Sequence, residues 1–496
     1  MTTAGVVLLK ASADIAARAL SVVTFPIVAA YTGAAGYGAY GQVHTIVGFI
    51  VPLASLGLGA AMVRHFSARA WTAMTARHVA RTGAIVLGLS FLPTLLMAVF
   101  AGWLNDTFLG SPIGAELFAW GSPLVALGAA EVWLLDLLRS RNWLVQYSLI
   151  QLGQTALLVA ATVALLPAGF GIVGLIQAAV IIKALSLAAA LISALRSSEL
   201  EEMSESEPAP PRVGAMMRYG LPLTIAGLGG WMVNLSDRLV IGHFATPEEL
   251  GRYGAAYTLA GMMVLASSPL MLPVYRRYMK ATADGDLSRI VDDTRLFHRY
   301  LSLALIPTAV YLAIMSGPII VMLGGDEFRS SSLVAVLVIA GLFVDQWNGL
   351  AHYLLACRDR TIFLQNAWLG CGTLNLVLCI VLVPSFGIEG AAGATLASFL
   401  VLESCVFVAA NRALPLVRMY RWDSSLRAGA AAALAGGAAL AVNAQSGQGA
   451  GGVTLATVAF AGVFAVAIAL VRGVHRADLQ VVLRATGLRR EPQMAP

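Results

Sequence analysis

The chain has 496 residues, 58% of them hydrophobic and 12% charged, with a formal net charge of +6. Soluble domains carry roughly 25% charged residues, so this composition excludes a soluble globular protein and marks a polytopic membrane protein. The basic excess lies between apolar runs rather than in a patch, so nucleic acid is not an expected partner.

A helix needs about 20 apolar residues to cross the hydrocarbon layer. In chain order such runs lie at 5–31, 38–64, 79–104, 114–138, 143–166 and 172–196. A second series follows at 214–243, 251–275, 297–323, 331–356, 361–384 and 388–411, and two further runs lie at 427–445 and 452–472. The expected fold is an all-α integral membrane protein of about 14 transmembrane helices. Lys10, Asp14 and Arg18 interrupt the first run where a signal peptide would keep an unbroken apolar core, so the first helix itself is expected to direct insertion. The 49 glycines suit close helix packing in lipid.

Two features repeat at one spacing. Tyr37-Gly38-Ala39 and Tyr253-Gly254-Ala255 stand 216 positions apart. The turns LLPAGFGIVG and LVPSFGIEG keep the same offset, pairing Phe170 with Phe386, Gly171 with Gly387 and Gly174 with Gly390. Two matches at one offset indicate homologous halves, as in many transporters. The expected organisation is two pseudo-symmetric six-helix lobes: an N-lobe over 1–197, a linker over 198–212 and a C-lobe over 213–412. Two appended helices over 413–474 and a tail over 475–496 follow. The linker SSELEEMSESEPAPPR mixes acids, serines and prolines and is expected to be disordered. The tail segment HRADLQVVLRATGLRR is basic and amphipathic; it suits a helix on the inner leaflet, with partner binding as the alternative.

Basic residues fall in alternate gaps: Arg64, Arg69, Arg77 and Arg81, then Arg139 and Arg141, then the cluster from Arg276 to Arg299. Arg358 and Arg360 come next, then Arg412, Arg418, Arg421 and Arg427, whereas the intervening gaps hold only Arg252 and Arg329. By the positive-inside rule both termini and the linker are expected in the cytoplasm. The outer gaps are all short, unlike the large external loop usual in membrane-embedded sugar polymerases and ligases. GQGAGG lacks the Lys-Ser/Thr of a phosphate loop, and no HExxH or GxSxG occurs, so an enzyme is not expected. Cys357, Cys371, Cys379 and Cys405 lie in or beside late apolar runs without paired-ligand spacing. They are expected to be buried free thiols, and neither metal nor cofactor is expected.

Ionisable groups at membrane depth are costly and usually face a cavity or one another. The basic ones are Lys10, Arg18, Lys183 and Arg238, and the acids are Asp14, Glu131, Asp237, Asp345 and Glu403. Lys10, Asp14 and Arg18 at i, i+4 and i+8 form one stripe about 12 Å long, which suits a wet groove. The alternative is that Asp14 neutralises its neighbours while Lys10 snorkels to the surface. Asp237 and Arg238 diverge by about 100° on a helix, so one is expected to face a cavity while the other pairs with a neighbouring helix, with a purely structural helix-to-helix ion pair as the alternative to a substrate contact. Lys183 stands alone in its run and either lines the cavity or pairs within its lobe, for instance with Glu131. Asp345, with Gln346, Asn348 and His352 after it, forms a polar patch suited to a cavity wall. Glu403 and Asp14 are candidate coupling-ion sites, with a hydrogen-bonded packing role as the alternative for Glu403. His44 reads as a satisfied interior histidine.

Three stretches carry a family resemblance: Phe25 to Arg64, the segment SDRLVIGHFATPEELGRYGAAY from Ser236 to Tyr257, and VPSFGIEGAAGATLASF from Val383 to Phe399. Together and in order they resemble the polysaccharide-flippase branch of the multidrug/oligosaccharidyl-lipid/polysaccharide exporter superfamily, over nearly the whole length. The resemblance implies alternating access by two lobes around a central cavity in a bacterial inner membrane. It implies a lipid-linked oligosaccharide on an undecaprenyl diphosphate carrier as substrate, with membrane lipids, a glycan polymerase and glycosyltransferases as partners. In the related peptidoglycan-precursor flippases, basic residues on the first helix receive the diphosphate, and Lys10 and Arg18 are counterparts by helix placement. That related branch also has fourteen helices and stays open as an alternative. A cation-coupled multidrug antiporter working through Asp14, Asp345 and Glu403 is a second, and a non-transporting scaffold for glycan enzymes a third.

Overall fold

The computed structural model describes residues 3–67, 71–196, 211–447 and 449–470, with side chains at Ala16 and Leu20 and from Val23 onward, Leu272 apart. The expected tail, the expected linker up to residue 210, and the side chains of Lys10, Asp14 and Arg18 lie outside the described residues. The described chain is all-helical. A lipid environment leaves no water for open backbone groups, so a spanning segment must satisfy them internally.

The first half contains α1 (Thr3–Ser55), α2 (Leu58–Phe66), α3 (Ala73–Val99), α4 (Ala101–Phe108), α5 (Gly114–Gly121), α6 (Pro123–Ser140), α7 (Leu144–Leu165) and α8 (Gly171–Arg196). Then come α9 (Val213–Phe244), α10 (Pro247–Ala260), α11 (Met262–Ala283), α12 (Leu287–Gly324), α13 (Ser331–Trp347) and α14 (Gly349–Cys357). The last are α15 (Thr361–Ala413), α16 (Leu416–Met419), α17 (Trp422–Ser446) and α18 (Ala450–Leu470). Among the described residues each of the fourteen apolar runs falls mainly on helix. Among the described residues ten helices are long and apolar enough to cross a membrane, or eleven with the 49° bent pair of Val23–Ser55 and Leu58–Phe66. Three features bring the count below the number of runs. Thr3–Ser55 carries the first run and most of the second across a break at Gly33, Thr361–Ala413 carries two runs across a break at Gly387, and Val213–Phe244 is diluted by glycines and by Asn234, Asp237 and Arg238.

Helix boundaries follow local chemistry. Thr72 caps α3 by accepting from the Thr75 amide at 3.2 Å. Ahead of α10, the Thr246 amide donates to Glu249 Oε2 at 3.2 Å while Thr246 Oγ1 accepts from the Glu249 amide at 3.3 Å. With Pro247 in the first turn this is a reciprocal capping box, and it falls in the segment that carried the resemblance. Asp286 caps α12, accepting from the Arg289 amide at 3.0 Å and the Ser288 hydroxyl at 2.6 Å. The Ser288 hydrogen bond, chiefly, holds its carboxyl below the usual carboxylate range.

The chain packs as two compact units, Met1–Gly251 and Arg252–Pro496. In the first, α1 packs on α6, α7 and α9, and α6 on α3 and α8. Glycines allow the α9 contacts: a Cβ on Gly220 would lie 2.5 Å from the Gly57 carbonyl oxygen, and one on Gly242 2.0 Å from that of Phe108. These approaches group α9 with the first unit. In the second unit α12 packs against α11, α13 and α17, and α13 against α15. Arg277 of α11 forks onto Asp293 of α12. The appended α17 and α18 pair with each other and lean on α12, where Ser302 and Ser425 share a 3.0 Å hydrogen bond. Cys357, Cys371 and Cys379 are buried free thiols as expected, but Cys405 is exposed. It lies on an outward apolar face of α15 with Leu400, Val401 and Val408.

The repeat is visible in the backbone. Gly171 and Gly387 both take left-handed φ, 61° and 55°, and the preceding Phe170 and Phe386 are both exposed. A Cβ on Gly174 would lie 2.6 Å from Phe170 Cβ, and one on Gly390 3.0 Å from Phe386 Cβ. The same helix break thus recurs at corresponding positions. At Gly171 nothing stands within 4 Å of an added Cβ, so substitution there tests the backbone alone. Gly171→Ala is expected to cost about 1–2 kcal/mol and lower the thermal unfolding midpoint in detergent; an unchanged midpoint would contradict this.

Candidate functional site

Inside the first unit, α1, α6, α7 and α8 surround a cavity of about 360 Å³ lined by His44, Gln154, Glu131 and Lys183 among apolar side chains. Gly128 lies one turn before Glu131, and a Cβ there would meet Val51 Cγ2 at 3.0 Å. Its bare backbone therefore lets α6 approach α1 and brings the Glu131 face to the cavity. Lys183 of α8 forms an ion pair with Glu131, the intralobe arrangement that its isolation in the sequence left open. The lysine side chain keeps 24% exposure and the glutamate 5%. Gln154 of α7 completes the group: with its amide oriented to suit both neighbours, it donates to Glu131 Oε1 and accepts from Lys183 Nζ, each at 2.9 Å.

His44 sits against its own helix, Nδ1 lying 3.0 Å from the Tyr40 carbonyl oxygen, and also lines this cavity. The expectation of a satisfied interior histidine holds for one nitrogen and misses the cavity position. Gln154 escaped a survey restricted to charges, and nothing in the sequence of α7 sets it apart from Gln146 and Gln151. The group as a whole offers a cation, an anion, an amide and an imidazole to a polar ligand. Lys183 is already compensated by Glu131, so an incoming anion must compete with that carboxylate.

A larger cavity of about 690 Å³ lies between α1, α3 and α4, walled by Leu53, Leu96, Phe100, Trp103 and other apolar residues. Its lining carries no charged side chain to receive a phosphate, so the smaller polar site is the better functional candidate. The backbone around Asp237 and Arg238 lies at a junction of three helices. Asp237 is fully buried, and its Oδ1 accepts from the Arg238 amide at 2.8 Å. Gln42 donates to the Arg238 carbonyl at 3.2 Å and to the Phe108 carbonyl at 2.9 Å, tying α9, α1 and α4 together.

The second unit holds a separate polar group. Asp345 of α13, His352 of α14 and Glu403 of α15 lie together, their nearest ligand-type atoms all within 4.8 Å of one another. His352 Nε2 donates to Glu403, 3.0 and 3.1 Å from its two oxygens. Asn348 Nδ2 donates to Glu403 Oε2 at 2.6 Å and to its backbone carbonyl at 3.0 Å. Gln346 donates to Asp345 Oδ2 at 2.6 Å and accepts from the Ser267 hydroxyl. Asp345, Gln346 and His352 line a cavity of about 330 Å³. The structure thus joins Asp345 and His352 to Glu403, which sequence reasoning had treated apart.

The chain matches the family described as "Polysaccharide biosynthesis protein" over residues 5–275. It is 23% identical over 198 residues to the probable low-salt glycan biosynthesis flippase Agl15 of Haloferax volcanii, covering 40% of this chain and 42% of that one. It is 28% identical over 201 residues to the probable flippase AglR of the same organism, covering 38% and 40%. It therefore spans about two fifths of the length of the curated relatives it matches. Among solved structures, the fold is similar to the lipid II flippase MurJ in an inward closed conformation, with a TM-score of 0.76 at 13% identity over 93% of this chain and 98% of that one. The MATE multidrug transporter DinF-BH is also similar, at a TM-score of 0.61 and 14% identity, over 82% and 94%.

Breaking a buried ion pair leaves its surviving charge uncompensated. Lys183→Met alone is expected to lower stability by about 1–3 kcal/mol, and Lys183→Met with Glu131→Leu to recover most of that loss. Thermal unfolding of the three proteins in detergent measures both, and equal losses in the single and double variants would contradict a coupled pair.

Proposed function

Because the chain belongs to the polysaccharide biosynthesis protein family, we propose that this multi-pass membrane protein is a flippase for a lipid-linked oligosaccharide in glycan assembly. The observation that carries the reading is the family match over residues 5–275, and the naming of both relatives as flippases agrees with it. The substrate is a repeat unit on an undecaprenyl-diphosphate-type carrier, moved from the inner to the outer leaflet of a bacterial inner membrane. Both termini are cytoplasmic, the lobes over 1–197 and 213–412 alternate in opening to the two sides, and a polymerase and glycosyltransferases work beside it. This is transport rather than catalysis.

Physical chemistry supports the assignment of roles. A diphosphate suits the compact charge of a lysine and the fork of an arginine, so Lys10 and Arg18 receive it, with Asp14 between them. Lys183, Gln154 and His44 offer hydrogen bonds at membrane depth to a sugar head group. Asp237 and Arg238 act with the packing of α9. The polyprenyl tail stays in lipid, so the protein needs to shelter only the polar head.

A second reading, a cation-coupled antiporter for amphipathic drugs, is favoured by one observation: Asp345 and Glu403 converge around His352. Export separates the two. Lys10→Ala and Arg18→Ala are each expected to abolish polymer assembly in cells dependent on this protein, while membrane insertion persists. Unaltered assembly in both variants would remove the diphosphate role. Strong proton-linked drug resistance in pump-deficient cells expressing the protein would favour the antiporter.

A further inference from the structure

The two halves place their buried charges on corresponding helices but neutralise them differently. At the 216-residue offset, Glu131 and Lys183 correspond to Trp347 and Phe399, two residues from Asp345 and four from Glu403. In the first unit the carboxylate meets an ammonium. In the second, two carboxylates meet a single imidazole, and among the described residues no lysine or arginine pairs with either. Two carboxylates without a matching cation are costly at membrane depth.

We propose that Asp345, His352 and Glu403 form a binding site for one divalent transition-metal ion of the zinc or manganese class. Zinc takes nitrogen and oxygen ligands at about 2.0–2.2 Å, so donor atoms already within 4.8 Å of one another need only small side-chain rotations to share it. The imidazole selects this class over magnesium and calcium, which favour all-oxygen shells. Charge points the same way: a divalent ion cancels two carboxylates beside a neutral imidazole, whereas a monovalent ion leaves a net charge in lipid.

The surroundings are those of a supported site. Asn348 orients Glu403 and Gln346 orients Asp345, the outer hydrogen bonds that fix ligating carboxylates. Asn348 Oδ1 is buried with no hydrogen-bond partner among the described residues. The cavity bounded by Ser267, Tyr353 and Trp368 gives an entry path and room for a water ligand. A bound ion ties α13 and α14 to the C-terminal half of α15. This inference is independent of the transport reading, since metal binding by the isolated protein requires no substrate.

The test uses full-length, tag-free protein in detergent, stripped with a chelator, equilibrated with Zn²⁺ or Mn²⁺ and desalted. Retained metal is measured by mass spectrometry, and Mn²⁺ coordination by electron paramagnetic resonance. The expected result is one retained ion per chain and an unfolding midpoint that rises with metal concentration. His352→Ala and Glu403→Gln are each expected to weaken retention by on the order of 100-fold, while Asp326→Asn, at an exposed position, retains the ion. If Glu403→Gln fails to fold, Asp345→Asn, at a partly exposed ligand, carries the same expectation. Folded wild-type protein that takes up protons but retains no metal would overturn the proposal. So would retention indifferent to the His352 and Glu403 or Asp345 substitutions.

Discussion

A charge carried into hydrocarbon must find its counter-charge, its hydrogen bonds or water within reach of its own helix, and that constraint shapes this molecule. In the first unit Glu131 and Lys183 meet across α6 and α8, with Gln154 bridging both. In the second, Glu403 gathers Asn348 and His352, and Asp345 is held by Gln346. The apolar residues make helices that tolerate lipid. These few polar residues decide which helices must face one another.

Glycine sets how closely they can do so. Gly128 admits Val51 beside the Glu131 face, and Gly341 admits Phe399, whose ring would lie 3.1 Å from an added Cβ, one turn before Asp345. Each half thus carries a small residue just ahead of its polar group, letting the neighbouring helix close over it. Packing without a hydrophobic driving force between helices relies on such contacts. The left-handed breaks at Gly171 and Gly387 then start the next helix in the same way in both halves.

Much of this could be read from the sequence because it is encoded locally. The apolar runs, the repeated turns around Phe170 and Phe386, and the capping box at Thr246 each depend on residues within a few positions of one another. The intramembrane charges were equally visible, and Glu131 was a named partner for Lys183. What the sequence did not display was convergence. Asp345 and Glu403 lie 58 positions apart, and only the packing of α13 and α14 against α15 brings them together. Gln154 and Asn348 carry no charge, so their part in holding charged neighbours depended on a tertiary arrangement. The grouping of α9 with the first unit rests on backbone approaches at Gly57, Gly220 and Gly242, which no hydropathy pattern records. Cys405 is exposed for a related reason: in lipid, an outward helix face is as apolar as an inward one.

In the proposed transport role, these charge-bearing helical units carry a polar glycan head through the hydrocarbon layer while its lipid tail remains outside the protein. The most direct measurement is flipping in proteoliposomes containing only the purified wild-type protein and a fluorescent lipid-linked oligosaccharide, with a membrane-impermeant quencher added outside. The predicted result is that the quenchable share rises from about half, as expected for a label in both leaflets, to nearly all. A share that stays at the protein-free level, with folded protein in the vesicles, would contradict the account.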